Sequence, residues 1–147
     1  MKLRSNQKLH VLLVEDSEAD AMLIKRSFAQ SDISCTLCWL EDGESAIAYL
    51  EQRGQYQQAI RPDLIILDLN LPRLDGREVL HRVKNNSDLK RIPVVVMSTS
   101  NSEIDVSRSY DLHANCYIVK PFDVHDFLRV TSSIEEFWLR NVTLSPL

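Results

Sequence analysis

Asp68 ends Leu64-Ile65-Ile66-Leu67, an apolar run that stops abruptly at a carboxylate. Glu15 and Asp16 end a second run, Val11-Leu12-Leu13-Val14. Ser98 closes a third, Val94-Val95-Val96-Met97, and Lys120 a fourth, Cys116-Tyr117-Ile118-Val119. If the runs are parallel strands, three acids, a hydroxyl and an ammonium converge on one edge of a sheet. Carboxylates that close repel one another, so the set is unstable as bare anions. A hard cation with oxygen ligands relieves the repulsion. Magnesium (or manganese) suits, since magnesium takes few carboxylates and keeps waters that a phosphate can displace. Asp68 could then attack phosphorus and form an acyl phosphate. The cation, Lys120 and Ser98 would bind the phosphoryl oxygens, where charge sits during transfer. Singly, each residue says little: an Asp at a strand end is ordinarily a cap, a Lys before Pro121 ordinarily surface. The weight comes from finding each needed type at a separate strand end.

The elements that must position these groups follow from periodicity. Strands are predicted near His10–Glu15, Cys35–Leu40, Asp63–Asp68, Pro93–Ser98 and Asn115–Val119. Each is short, rich in Val, Ile and Leu, and lacks polar alternation, as strands buried on both faces of a parallel sheet do. Helices fill the gaps. The first begins at Ser17, with Asp20 resembling a capping box, and its apolar positions Ala21, Ile24 and Phe28 keep helical spacing. The second runs near Glu44–Gln52 and buries Ala46, Ile47 and Leu50. The third starts near Gly76 and carries Val79, Leu80 and Val83. The fourth, near Ser102–Leu112, has a thin apolar face of Ile104, Val106 and Tyr110. The fifth, capped by Asp123, carries Val124, Phe127, Leu128, Ile134 and Trp138. Strands alternating with helices imply right-handed crossovers and a doubly wound α/β sheet. Ligands of such sheets bind beyond the carboxyl ends of the strands, where the chemistry-bearing residues lie.

Composition narrows the classes. The 147 residues fit one domain, and 44% hydrophobic with 26% charged residues is a globular balance. The net charge of -4 speaks against a nucleic-acid partner, whose binder would be basic on one face. Lys84, Lys90 and Arg91 read as solvated surface, as do Lys2, Arg4 and Lys8. No apolar stretch approaches the ~20 residues that span a bilayer, and the start of the chain has no apolar core of a secretory signal. Cys35 and Cys38 form a C-x-x-C pair. On a strand, however, positions three apart face opposite sides, so the thiols should diverge. Reduced thiols and no export signal point to the cytoplasm.

The chain resembles the receiver domains of two-component response regulators. The matching residues are Glu15-Asp16, Asp68, Ser98 and Lys120-Pro121-Phe122, with Asp68-Leu69-Asn70-Leu71-Pro72 and Asp75-Gly76 similar to the family's loop after its third strand. The resemblance covers roughly 10–130. It implies a flavodoxin-like (βα)5 fold with strand order 2-1-3-4-5, Asp68 as phosphoacceptor, and Glu15, Asp16, Asp68 and the Asn70 backbone carbonyl as magnesium ligands. It also implies Ser98 as the hydroxyl that moves toward the phosphoryl group, Lys120 as a fixed cation, and Tyr117 as the aromatic whose orientation follows the hydroxyl. Arg77-Glu78-Val79-Leu80, Arg91-Ile92-Pro93-Val94-Val95-Val96 and the tail look like the small regulators paired with cyanobacterial phytochrome kinases. That similarity would imply a light-regulated histidine kinase as phosphodonor, and a homodimer.

The expected organisation is a polar segment at 1–9, a receiver at 10–132, and a helix end with tail at 133–147. Little chain remains for an effector, so the expectation is a stand-alone receiver that signals by docking. Ile134, Phe137, Trp138 and Leu139 make a cluster wider than one buried face needs: core on one reading, dimer or partner surface on the other. Rival classes fare worse. A metal-dependent phosphatase usually carries a second acid two residues after its nucleophile, where this chain has Asn70. A flavin module needs a phosphate cradle after the first strand, where Glu15-Asp16-Ser17-Glu18 would repel phosphate. A receiver kept only as an interaction scaffold would not need the full acid set and Lys120.

Overall fold

Five short apolar runs become strands: β1 (Leu9–Val14), β2 (Cys35–Leu40), β3 (Leu64–Leu67), β4 (Val94–Ser98) and β5 (Cys116–Val119). The structure is a computed structural model that describes residues 8–146. Of the segment 1–9, only Lys8 and Leu9 fall among the described residues. All pairings are parallel and the order is β2-β1-β3-β4-β5, as expected. The central strands β3 and β4 are buried at every residue, whereas the edge strands β2 and β5 are half-covered. This is why the central runs carry no polar alternation.

Successive strand residues feed two cores, one on each face. Leu12, Val14, Ile65, Leu67, Val94 and Val96 point into one, beneath α2 (Gly43–Leu50) and α3 (Gly76–Lys84). Leu13, Ile66, Val95 and Met97 point into the other, beneath α1 (Glu18–Gln30) and α5 (Val124–Ile134). Each fully buried Leu or Ile contributes about 1.5–3 kcal/mol relative to exposure. Cys35 joins the second core and Cys38 the first, and all three cysteines are free. The thiols of the C-x-x-C pair diverge, as strand geometry requires.

Side chains cap the helix starts. Asp42, Asp75 and Asp123 accept from Ser45, Arg77 and Asp126 N–H groups at 2.7, 2.7 and 3.0 Å. α4 (Glu103–Asp111) departs from expectation. Its supposed apolar face is not buried: Ile104 is 71% exposed and Tyr110 48%. The buried residue is Ser109, whose hydroxyl donates to the Asp105 carbonyl at 2.9 Å. Val124 likewise lies in the open. Lys84, expected at the solvated surface, is half-buried and donates to the carbonyls of Ile92 at 2.7 Å and Lys90 at 3.1 Å. Burial pushes its ammonium down to about 8.

After α5 the helix widens into a π-helix at Glu135–Asn141, and the Val142 N–H reaches back five residues to the Phe137 carbonyl at 2.8 Å. Wider turns redirect the apolar cluster read at 3.6 residues per turn. Ile134 and Leu139 enter the α1–α5 core, while Phe137 stays 54% exposed with its ring edge against Trp138. The same turn buries Glu135, whose Oε2 accepts from the Ser27 hydroxyl at 2.8 Å while Oε1 finds no partner. Burial raises this carboxyl above its ordinary 4.5, and the Ser27 bond only partly offsets it. Between 4.5 and the folded value, the native chain therefore holds a proton that the unfolded chain has lost. Stability falls as pH rises through that window and stays at the lower level above it. Glu135→Gln keeps the Ser27 bond and removes the charge. Thermal melts should show a gain of about 1 kcal/mol near pH 8 and none near pH 4. An equal effect at both pH values would contradict the account.

Candidate functional site

Register, not loop conformation, assembles the site. Val14 pairs with Leu67, Leu67 with Val96, and Ser98 with Val119. The ladder continues one residue past several strands. Glu15 N–H donates to the Leu40 carbonyl at 3.0 Å, Asp68 N–H to Val14 at 3.0 Å, and Lys120 N–H to Ser98 at 2.7 Å. Glu15, Asp68 and Lys120 are thus each fixed by a sheet bond from their own amide.

Glu15, Asp16 and Asp68 converge, each offering a carboxylate oxygen within 4.8 Å of the other two. Glu15 and Asp68 are buried and Asp16 is exposed, so the cluster opens to solvent on one side. Glu15 Oε2 is buried with no hydrogen-bond partner. An unpartnered buried oxygen among three acids fits a divalent cation with oxygen ligands. Asp68 Oδ1 also accepts from the Asn70 N–H at 3.1 Å, which folds the following loop under the acid. The Trp39 indole donates to the Glu15 carbonyl at 2.8 Å and pins the turn that carries Asp16.

Lys120 lies over these acids. Its ammonium contacts Glu15, Asp68 Oδ2 at 2.8 Å and Asp20 Oδ2 at 2.8 Å. Burial works against the Lys120 charge, but the contacts with Asp20, Asp68 and Glu15 outweigh it and hold the ammonium above its usual range. The two buried acids split. Burial, then the proximity of Asp68, pushes Glu15 up to about 9. Burial also acts to raise Asp68, but the hydrogen bonds with Glu15 and Lys120 win and hold it below its ordinary value.

Asp20 is the residue that sequence reasoning misassigned. Its N–H does donate to the Ser17 hydroxyl at 3.2 Å, as a capping box requires. Its carboxylate reaches Lys120 instead of completing the box. The signal present in the sequence was an acid four residues after Asp16, just inside the helix that follows it.

Ser98 is fully buried, and its hydroxyl accepts from the Ser100 N–H at 3.3 Å. Tyr117 donates its hydroxyl to the Ser100 carbonyl at 2.8 Å. The Ser100 hydroxyl donates to Asp105 at 2.6 Å, and Arg77 bridges Asp105 at 2.8 Å and Asp75 at 3.3 Å. A polar line therefore runs from the Ser98 loop through α4 to the start of α3. The sequence offered no cue for it.

A cation-ready acid pocket under a sheet-anchored lysine, with a buried hydroxyl one strand away, is the constellation of a receiver. Residues 11–131 match the response regulator receiver domain family, and the chain belongs to that family. It is a signalling protein rather than a classical enzyme. The chain is 51% identical to response regulator Rcp1 of Synechocystis sp. over 98% of both chains. A crystal structure of the Mn(2+)-bound form of Rcp1 superposes with a TM-score of 0.91, covering 93% of this chain and 99% of that one. The phosphorylated cyanobacterial phytochrome response regulator RcpA, 50% identical, superposes with a TM-score of 0.93 over 96% of this chain and 100% of its own. Divalent-metal binding by this family accords with the acid cluster. Among the described residues no helix is long and apolar enough to cross a membrane.

Proposed function

We propose that Asp68 accepts a phosphoryl group from a sensor histidine kinase, of phytochrome type, and that the phosphorylated chain signals by docking. One observation carries the reading: the ammonium of Lys120 bridges Asp68 and Glu15 inside a three-acid cluster. An Asp68 oxygen bonds to phosphorus as the phosphorus–nitrogen bond of a phosphohistidine breaks, and the histidine leaves with the electron pair. Magnesium, held by Glu15, Asp16, Asp68 and the Asn70 carbonyl, would neutralise charge on the phosphoryl oxygens. Lys120 takes a further phosphoryl oxygen, and the Ser98 hydroxyl turns toward the group. The Ser98 loop then shifts the Ser100 carbonyl that Tyr117 holds. The absence of an acid at Asn70 favours storing the phosphoryl group over turning over substrates. The phytochrome pairing is supported by the similarity to RcpA.

The receiver unit is read as 10–132, acting in the cytoplasm, with 133–147 serving assembly. A homodimer through exposed Phe137 and half-covered Trp138 is supported by the aromatic character of that patch. One native mass spectrum after incubation with a small phosphodonor and magnesium tests both parts. Wild type should gain one phosphate and appear as a dimer, and Asp68→Asn should gain none. Equal phosphate on Asp68→Asn would sink the phosphoacceptor, and a monomer under all conditions would sink the dimer. Phosphotransfer profiling against purified histidine kinases decides the partner, and preference for a kinase without a light-sensing module would count against the phytochrome pairing.

A further inference from the structure

An ammonium has three N–H bonds to give, and Lys120 gives one each to Glu15, Asp68 and Asp20. Two of these partners have other work in the reading above, since Glu15 turns to the cation and Asp68 to phosphorus. Asp20 has none. It lies in the first turn of α1, where the helix N-terminus favours a carboxylate. Its side chain is 26% exposed, against 2% for Glu15 and 8% for Asp68, so it stands at the mouth of the site rather than within it. The contact spans 100 residues of sequence and joins α1 to the loop after β5.

We infer that Asp20 is the positioning residue for Lys120. It keeps the ammonium aimed over Asp68 once cation and phosphoryl group have taken the other two partners. A long lysine side chain without such a tether loses its fixed geometry, and misplacement by about 1 Å can cost on the order of a hundredfold in rate. The inference rests on Asp68 being the phosphoacceptor.

The experiment compares phosphorylation rates with phosphoramidate and magnesium, read by intact mass. Asp20→Ala should slow the reaction about tenfold, while Asp20→Asn, which keeps an acceptor oxygen, should stay within about threefold of wild type. Metal affinity, read through Trp39 fluorescence on titrating Mn2+, should be unchanged within about twofold, because Asp20 is not among the metal-holding acids. In a Lys120→Ala background, Asp20→Ala should make no further difference. Asp20→Ser replaces Asp20→Ala if the latter fails to fold. A wild-type rate in Asp20→Ala, an Asp20→Asn as slow as Asp20→Ala, or a full further loss in the Lys120→Ala background would each overturn the inference alone. Equal phosphate uptake by Asp68→Asn would instead remove the phosphoacceptor, and this inference with it.

Discussion

Gly76→Ala is expected to lower the melting temperature by about 10 °C and to cripple phosphorylation of Asp68. Gly76 opens α3, and its N–H donates to the Leu69 carbonyl at 2.9 Å. A methyl group there would lie 2.3 Å from the Asp68 carbonyl oxygen and 2.6 Å from the Leu69 Cα. Both are backbone atoms, and the Leu69 side chain below them is fully buried. No flexible side-chain end can yield, so the segment carrying Asp68 must move or the helix start must. Overpacking of this kind costs about 3 kcal/mol, and the displaced segment is the one that carries Asp68, the proposed phosphoacceptor. Gly54 provides the contrast: nothing lies within 4 Å of an added Cβ, although φ is +60°. Gly54→Ala should cost only about 1 kcal/mol and leave phosphorylation intact. Thermal melts with the intact-mass assay check both. A Gly76→Ala protein that melts and phosphorylates like wild type would refute the close-approach argument.

Lys120→Ala should destabilise the protein by about 3 kcal/mol and make its stability strongly dependent on magnesium. The Lys120 side chain is 5% exposed and touches two acids that are themselves buried. Removing it leaves Glu15 and Asp68 buried side by side without the ammonium that bridges them, the costly way to break a buried pair. A divalent cation supplies the missing charge, so millimolar magnesium should raise the variant's melting temperature more than that of wild type. Calorimetric scans across a magnesium series read the difference. Equal shifts would mean that Lys120 does not balance the acid cluster. The variant should still take up phosphate from a small donor, since Asp68 remains. It should fail to convert phosphate into any change of assembly, and equal phosphate-dependent assembly would count against a signalling role for the lysine.

Much of the site was legible because parallel strands announce themselves as short apolar runs and because register places their next residues side by side. Glu15, Asp68, Ser98 and Lys120 all follow from that rule. Asp20 did not, since an acid three residues after a serine has a sufficient local explanation as a cap, and only the fold reveals the lysine opposite. Lys84 misled for the same reason: its carbonyl partners Lys90 and Ile92 lie in a loop whose path local pattern does not specify. Ile134 and Leu139 were grouped with Phe137 because the stripe was read at 3.6 residues per turn, and the chain turns more widely there. α4 resisted reading because its burial is polar, through Ser109, and hydrophobic periodicity is silent about such a helix.

The thin burial of α4 has a thermodynamic consequence. Ile104 and Tyr110 are already in water, and bonds among Ser100, Asp105 and Arg77 tether the helix start. Reorienting it would expose little new apolar surface, so the transition carries little heat capacity change. Its free energy should then vary almost linearly with temperature, without the curvature that accompanies hydrophobic docking. A receiver built this way would keep its resting and active populations in a simple, monotonic relation across the temperatures its host meets.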